Sequence, residues 1–143
     1  MKRTREVEYR VNLAEGFVLE AREDMASKRW RACGDNSQLA VENAAKAALA
    51  LVGPVGRTHN PAALLVTALA ENRFPPNVRE HVQQLAQYAA ELGPDIHIKS
   101  DYGDENQWQT PWQLFGPADA ERALDLAEKA VTLARQLLQR GEQ

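Results

Sequence analysis

Gln38, Glu42 and Lys46 recur at every fourth residue, so on a helix their side chains stack along one face, with Asn43 beside them. A carboxylate and an ammonium at that spacing attract each other. The plain consequence is a solvent-facing Glu42–Lys46 pair worth a few tenths of a kcal/mol, roughly 0.2–0.5. The sharper consequence is a polar cluster turned towards a groove or a partner, because the hydroxyl of Ser37 and the amides of Gln38 and Asn43 form directed hydrogen bonds of the kind that read bases and phosphates. Both readings stand on the spacing alone.

Residues 97–105 gather His97, Lys99, Asp101, Tyr102, Asp104 and Glu105 into the chain's densest concentration of reactive groups. Such a set could hold a metal through its carboxylates, or ligate and polarise a phosphate through Lys99 and Tyr102. His97, Lys99 and Tyr102 are the catalytic candidates. The alternative is a solvated loop in which Asp101 and Asp104 bond to nearby backbone amides and Tyr102 caps the core. His59 and His81 fall beside a helix start and within a helix, where a histidine is more often packed than catalytic.

Helices must position these groups. Val11, Leu13, Ala14, Phe17, Val18, Ala21 and Met25 track a helical period, which predicts a first helix over 8–26. Gly34, Asp35, Asn36 and Ser37 are turn and capping types, although Trp30 and Cys33 allow the second helix an early start; its alanine-rich body runs over 39–52 and stops at Gly53-Pro54. Asn60 and Pro61 fit the cap and first position of a third helix reaching about 72. A fourth follows Pro75-Pro76 and ends near 93. Residues 95–117 show no sustained period, and a stretch that long is usually functional or carries structure of its own. A fifth helix, with an apolar stripe from Ala120 to Leu138, closes the set. Strand alternation is missing, so the fold class is all-α.

Composition narrows the function. With 143 residues, 44% of them apolar and 26% charged, the chain suits one packed domain. The formal charge of −3 disfavours broad wrapping of DNA, without excluding a local basic site. A single cysteine, Cys33, offers no disulfide or zinc cluster, so no metal site is expected. No apolar run suffices to span a bilayer and the N-terminus lacks a signal-like hydrophobic region, which predicts a cytoplasmic protein without membrane contact. Phosphate-binding glycine loops, zinc-protease histidine pairs and nucleophile elbows are missing.

The run Ser37-Gln38-Leu39-Ala40-Val41-Glu42-Asn43-Ala44-Ala45-Lys46-Ala47 resembles the second-helix signature of HEPN domains (higher eukaryotes and prokaryotes nucleotide-binding). Further likenesses follow in order. Arg22-Glu23-Asp24 resembles the end of the family's first helix, Thr58-His59-Asn60 its Thr-His-Asp before the third, and Asp101-Tyr102-Gly103-Asp104 its Arg-Tyr-Pro-Asp loop. Asp119-Ala120, with Ala123-Leu124 and Ala127, resembles its last helix.

The resemblance implies an antiparallel, up-and-down four-helix bundle with an additional short helix. It also implies a homodimer, and a partner that is a minimal nucleotidyltransferase, a nucleotide or RNA, as in toxin–antitoxin pairs. Many relatives are metal-independent ribonucleases with an arginine four to six residues before a histidine. This chain departs from that pattern: Arg57 is two residues before His59, Arg79 two before His81 and Arg73 eight before His81, while Asp101 stands where the loop's arginine would be. That removes the cation for a developing phosphorane. The first expected function is therefore binding without catalysis, through Gln38, Glu42, Asn43, Lys46, Lys99, Asp101, Tyr102 and Asp104; the alternatives are a metal-independent ribonuclease that uses His97, Lys99 and Tyr102 in place of the usual pair, and a purely structural oligomeric bundle. Lys46 and Lys99 are expected to approach each other, and the acids around them would make nucleotide binding either need magnesium or be weak. Trp108, Trp112 and Phe115 are expected to be partly buried against the last helix, since three large aromatics would otherwise expose an apolar patch.

Overall fold

The computed structural model describes the backbone of residues 1–143 and all side chains except those of His97, Ile98 and Ser100. Helix α1 (Arg5–Ala26) begins where the Thr4 hydroxyl accepts the Val7 N–H at 3.3 Å, satisfying one of the amides that a helix start leaves unpaired. Val7, Val11, Ala14, Val18 and Ala21 recur at intervals of four and three and are all buried. One stripe of α1 therefore faces the core.

Helix α2 (Trp30–Ala50) starts well before residue 39, and the segment Gly34-Asp35-Asn36-Ser37, whose types suit a turn, lies inside it. Contacts with other elements hold two of these residues in the helix, Gly34 and Asn36, while the buried Ser37 hydroxyl has no hydrogen-bond partner among the described residues. The Asn36 side-chain amide donates to Asp24 at 2.7 Å, Ser37 is fully buried, and Gly34 admits the Phe115 ring, whose Cε1 lies 3.0 Å from where a Cβ would sit. Chain reversal occurs instead at residues 27–29, with Lys28 in the left-handed region at φ 60°. There the Arg29 guanidinium closes on the buried Asp24 carboxylate at 3.0 Å.

The remaining elements are α3 (Pro61–Ala70), a 3₁₀ turn (Pro76–Val78), α4 (Arg79–Glu91), α5 (Pro94–Tyr102), α6 (Pro111–Leu114) and α7 (Pro117–Gln139). Asn60 occupies the cap position of α3 without a side-chain capping bond; the Thr58 hydroxyl instead accepts the Asn60 N–H at 3.0 Å. The stretch without sustained period carries α5 and α6. Gly103, at φ 73°, joins them, and a Cβ there would lie 2.1 Å from the Gln109 carbonyl oxygen. Glycine is required at that close approach.

Cross-links fix the directions. Arg22 meets Glu128 at 2.8 Å and Arg135 meets Glu15 at 2.7 Å, so α7 runs antiparallel to α1. The Cys33 thiol donates to the Ala120 carbonyl at 3.7 Å, which sets the starts of α2 and α7 side by side. Arg122 near the start of α7 reaches Glu91 at the end of α4, and Arg140, just past the end of α7, donates to the Asn77 carbonyl in the 3₁₀ turn that leads into α4, so α4 is antiparallel to α7. Helices α1, α2, α4 and α7 thus alternate up and down, and α3 lies against α2 and α4. The bundle is all-helical, as the periodicity predicts.

Gly16 sits in the middle of α1 on its exposed side, with nothing within 4 Å of a Cβ built there. Glycine costs a helix interior roughly 0.5–1 kcal/mol relative to alanine. Gly16→Ala should stabilise the protein by about that amount in a urea titration. A lower midpoint would show that something packs on this position.

Candidate functional site

Alanines let α2 sit at the centre of the bundle. Ala40, Ala44, Ala45, Ala47 and Ala48 are buried, and their short side chains admit the neighbouring helices from several sides. The polar ridge is drawn inside with them. Gln38, Glu42, Asn43 and Lys46 are 3%, 7%, 6% and 7% exposed, so the solvent-facing reading of the Glu42–Lys46 pair is overturned. The pair forms, with Lys46 Nζ 3.4 Å from Glu42 Oε2, but in the interior.

Burying charge is costly unless partners replace water. The second oxygen of Glu42 lies 3.4 Å from Nδ1 of His59, whose side chain is 89% exposed at the mouth of the cluster. Arg10 extends from α1, donating to the Asn43 side-chain oxygen at 3.5 Å and pairing with Glu6 at 3.6 Å. Asn43 in turn donates to the Leu39 carbonyl at 3.0 Å, and Glu6 accepts the Val55 N–H at 3.3 Å. The Arg10 Nε is buried with no partner. A buried carboxylate thus bridges an ammonium and an imidazole, and a guanidinium stands alongside.

The structure does not unite this ridge with the 97–105 segment. Asp101 pairs with Arg31 at 3.3 Å, at the first turn of α2, whereas Lys46 lies fifteen residues further along that helix. At about 1.5 Å per residue that is roughly 22 Å. The expected approach of Lys46 to Lys99 is therefore corrected: each cluster occupies its own end of α2. Lys99 is exposed, and Tyr102, 68% exposed, does not cap the core. Asp104 does make turn bonds, accepting the N–H groups of Asn106 and Gln107 at 3.0 and 3.2 Å. The His97 side chain lies outside the described residues.

The aromatic expectation holds for one of the three residues and is corrected for the two tryptophans. Phe115 is 8% exposed and seated against Gly34, whereas Trp108 and Trp112 are 89% and 74% exposed. Trp112 stands beside the Arg31 guanidinium, 5.8 Å from ring centroid to Cζ. Trp108 lies between Gln107 and Gln109, and the core volume beside α2 is already taken by Phe115.

His59 is the residue the spacing misses. Its contact with Glu42 spans the 51–60 segment, which has no period to reveal it, and the only hint is a histidine beside a helix start. Cys33 is not a rival nucleophile. Burial pushes its thiol above the ordinary range, the nearby Ser37 hydroxyl offsets part of that, and the Asp24 charge adds to it. No described helix is long and apolar enough to cross a membrane.

Comparison places the fold among known proteins. Solved structures share the fold, two of them over nearly the whole chain. One, the crystal structure of TT1696 from Thermus thermophilus, is 20% identical, has a TM-score of 0.69, and matches over 93% of this chain and 98% of its own. The other, "Crystal Structure of ST0689, an archaeal HEPN homologue", is 21% identical with a TM-score of 0.62, over 96% of this chain and 99% of its own. No curated protein matches the sequence. The model of the HEPN domain matches residues 7–137, which takes in the α2 ridge, His59 and every helix of the bundle, and the chain belongs to the HEPN domain family.

Proposed function

We propose that this HEPN domain is a cytoplasmic, homodimeric binding module that takes the phosphate of a nucleotide or RNA end, or docks a minimal nucleotidyltransferase, at the mouth of the α2 ridge. The observation that carries the proposal is the exposed His59 ring held by the buried Glu42, with Lys46 on the carboxylate's other oxygen. Such clusters are poor stabilisers, since apolar residues of similar volume serve a core as well or better, so a role in recognition accounts for them. Of the candidate ligands in the sequence, Gln38, Glu42, Asn43 and Lys46 carry the reading. Lys99, Asp101, Tyr102 and Asp104 form a separate surface.

The test is a calorimetric titration of a nucleotide, with and without magnesium, into the wild type, His59→Ala and Lys99→Ala. His59→Ala removes a ring that is almost wholly in water, so folding should survive. Affinity is expected to fall about tenfold or more with His59→Ala, the scale of one lost charge-assisted bond, and to hold with Lys99→Ala. Equal affinity in all three would move the site elsewhere. Static light scattering checks the dimer, and a monomer mass across micromolar concentrations would remove it.

A ribonuclease is the second reading, favoured by the same histidine: with Nδ1 turned to Glu42, Nε2 is left outward as a proton acceptor. Loss of RNA cleavage on His59→Ala, with unchanged binding, would select it. Loss on His97→Ala would select the 97–105 segment instead.

A further inference from the structure

A second concavity lies away from the ridge, between the end of α4, α5, α6 and the start of α7, with a volume near 560 Å³. Its floor is apolar. Leu92, Phe115, Ala123 and Leu126 are buried there, and Ile96 is half-buried. That size and lining suit a small organic body better than a bare ion.

Its rim carries Glu91, Asp104, Asp119, Lys99 and Arg122, one net negative charge. The acids are engaged by the protein itself. Glu91 pairs with Arg122 at 3.6 Å, Asp119 accepts the Gly116 N–H at 3.0 Å, and Asp104 accepts two backbone N–H groups. Among the described residues, the Lys99 ammonium has no ion-pair or hydrogen-bond partner. One unpaired cation over an apolar floor is complementary to a single negative charge on an apolar body. A triphosphate or a nucleic-acid strand would instead bring several charges against three fixed carboxylates.

We propose that this cavity binds a small amphipathic monoanion, a carboxylate on a short acyl or single-ring body, with the carboxylate at Lys99 and the body on the Leu92, Phe115 and Leu126 floor. Charge-assisted hydrogen bonds from the ammonium orient the ligand. Burial of its apolar part supplies the remaining affinity. This site is independent of the nucleotide reading above.

The test titrates octanoate, below its self-association concentration, into the wild type, Lys99→Glu and Ala118→Trp, with octylammonium as the reversed-charge probe. Ala118 lines the cavity yet is exposed, so the indole can fill the space without entering the core. Saturable octanoate binding is expected, weakened about tenfold or more by Lys99→Glu and abolished by Ala118→Trp, while octylammonium binds more weakly. Unchanged affinity in Lys99→Glu, equal or tighter binding of octylammonium, or no saturable binding of octanoate to the wild type would each overturn the proposal. If Ala118→Trp binds octanoate like the wild type, the ligand sits elsewhere and the assignment fails.

Discussion

Lys46→Met is expected to destabilise the protein by about 3–5 kcal/mol, because it strips Glu42 of its ammonium partner and leaves a buried carboxylate. His59 reduces the loss only in part, since its side chain is in water and screened. The companion expectation separates charge from packing: Glu42→Leu with Lys46→Met should recover most of that loss, as no unpaired charge then remains. Guanidinium unfolding of wild type, both single variants and the double variant completes the cycle. A Lys46→Met variant within about 0.5 kcal/mol of the wild type would mean that water reaches the pair, contrary to its burial.

Phe115→Ala is expected to cost about 3–5 kcal/mol, towards the lower end because the ring also borders an open cavity. Trp112→Ala, although it removes a larger side chain, should cost no more than about 1 kcal/mol, the worth of an exposed contact between a guanidinium and an aromatic face. Thermal unfolding of the two variants side by side decides the matter. A greater loss in Trp112→Ala than in Phe115→Ala would place the indole, not the phenyl ring, in the core.

These two expectations show what spacing conveys. The valines and alanines of α1, α2 and α7 repeat at three and four residues, so the helices, their apolar stripes and the all-α class were legible from the pattern. So was the Glu42–Lys46 contact, which is internal to one helix. Its burial was not legible, because a polar stripe reads as a solvated face unless the helices covering it are known. The same limit applies to His59 and Glu42, brought together only by the path of the chain between α2 and α3. Gly34 through Ser37 reads as a turn by residue type, and only the Phe115 ring and the Asp24 carboxylate, both outside that helix, explain why it continues through the segment. Trp108 and Trp112 mislead in the opposite sense: large aromatics usually fill cores, but here the space beside α2 holds one ring.

The burial of α2 on nearly every side has a further consequence for how the molecule opens. Its amide hydrogens are shielded by α1, α3, α4 and α7 together, so they reach water only when the bundle separates as a whole, and their exchange rates report the global unfolding free energy. The four-residue α6, with the Trp112 face in solvent, requires no such event. The domain therefore has two tiers of opening, and a ligand that orders the region around α6 can tighten local exchange there without slowing exchange in α2.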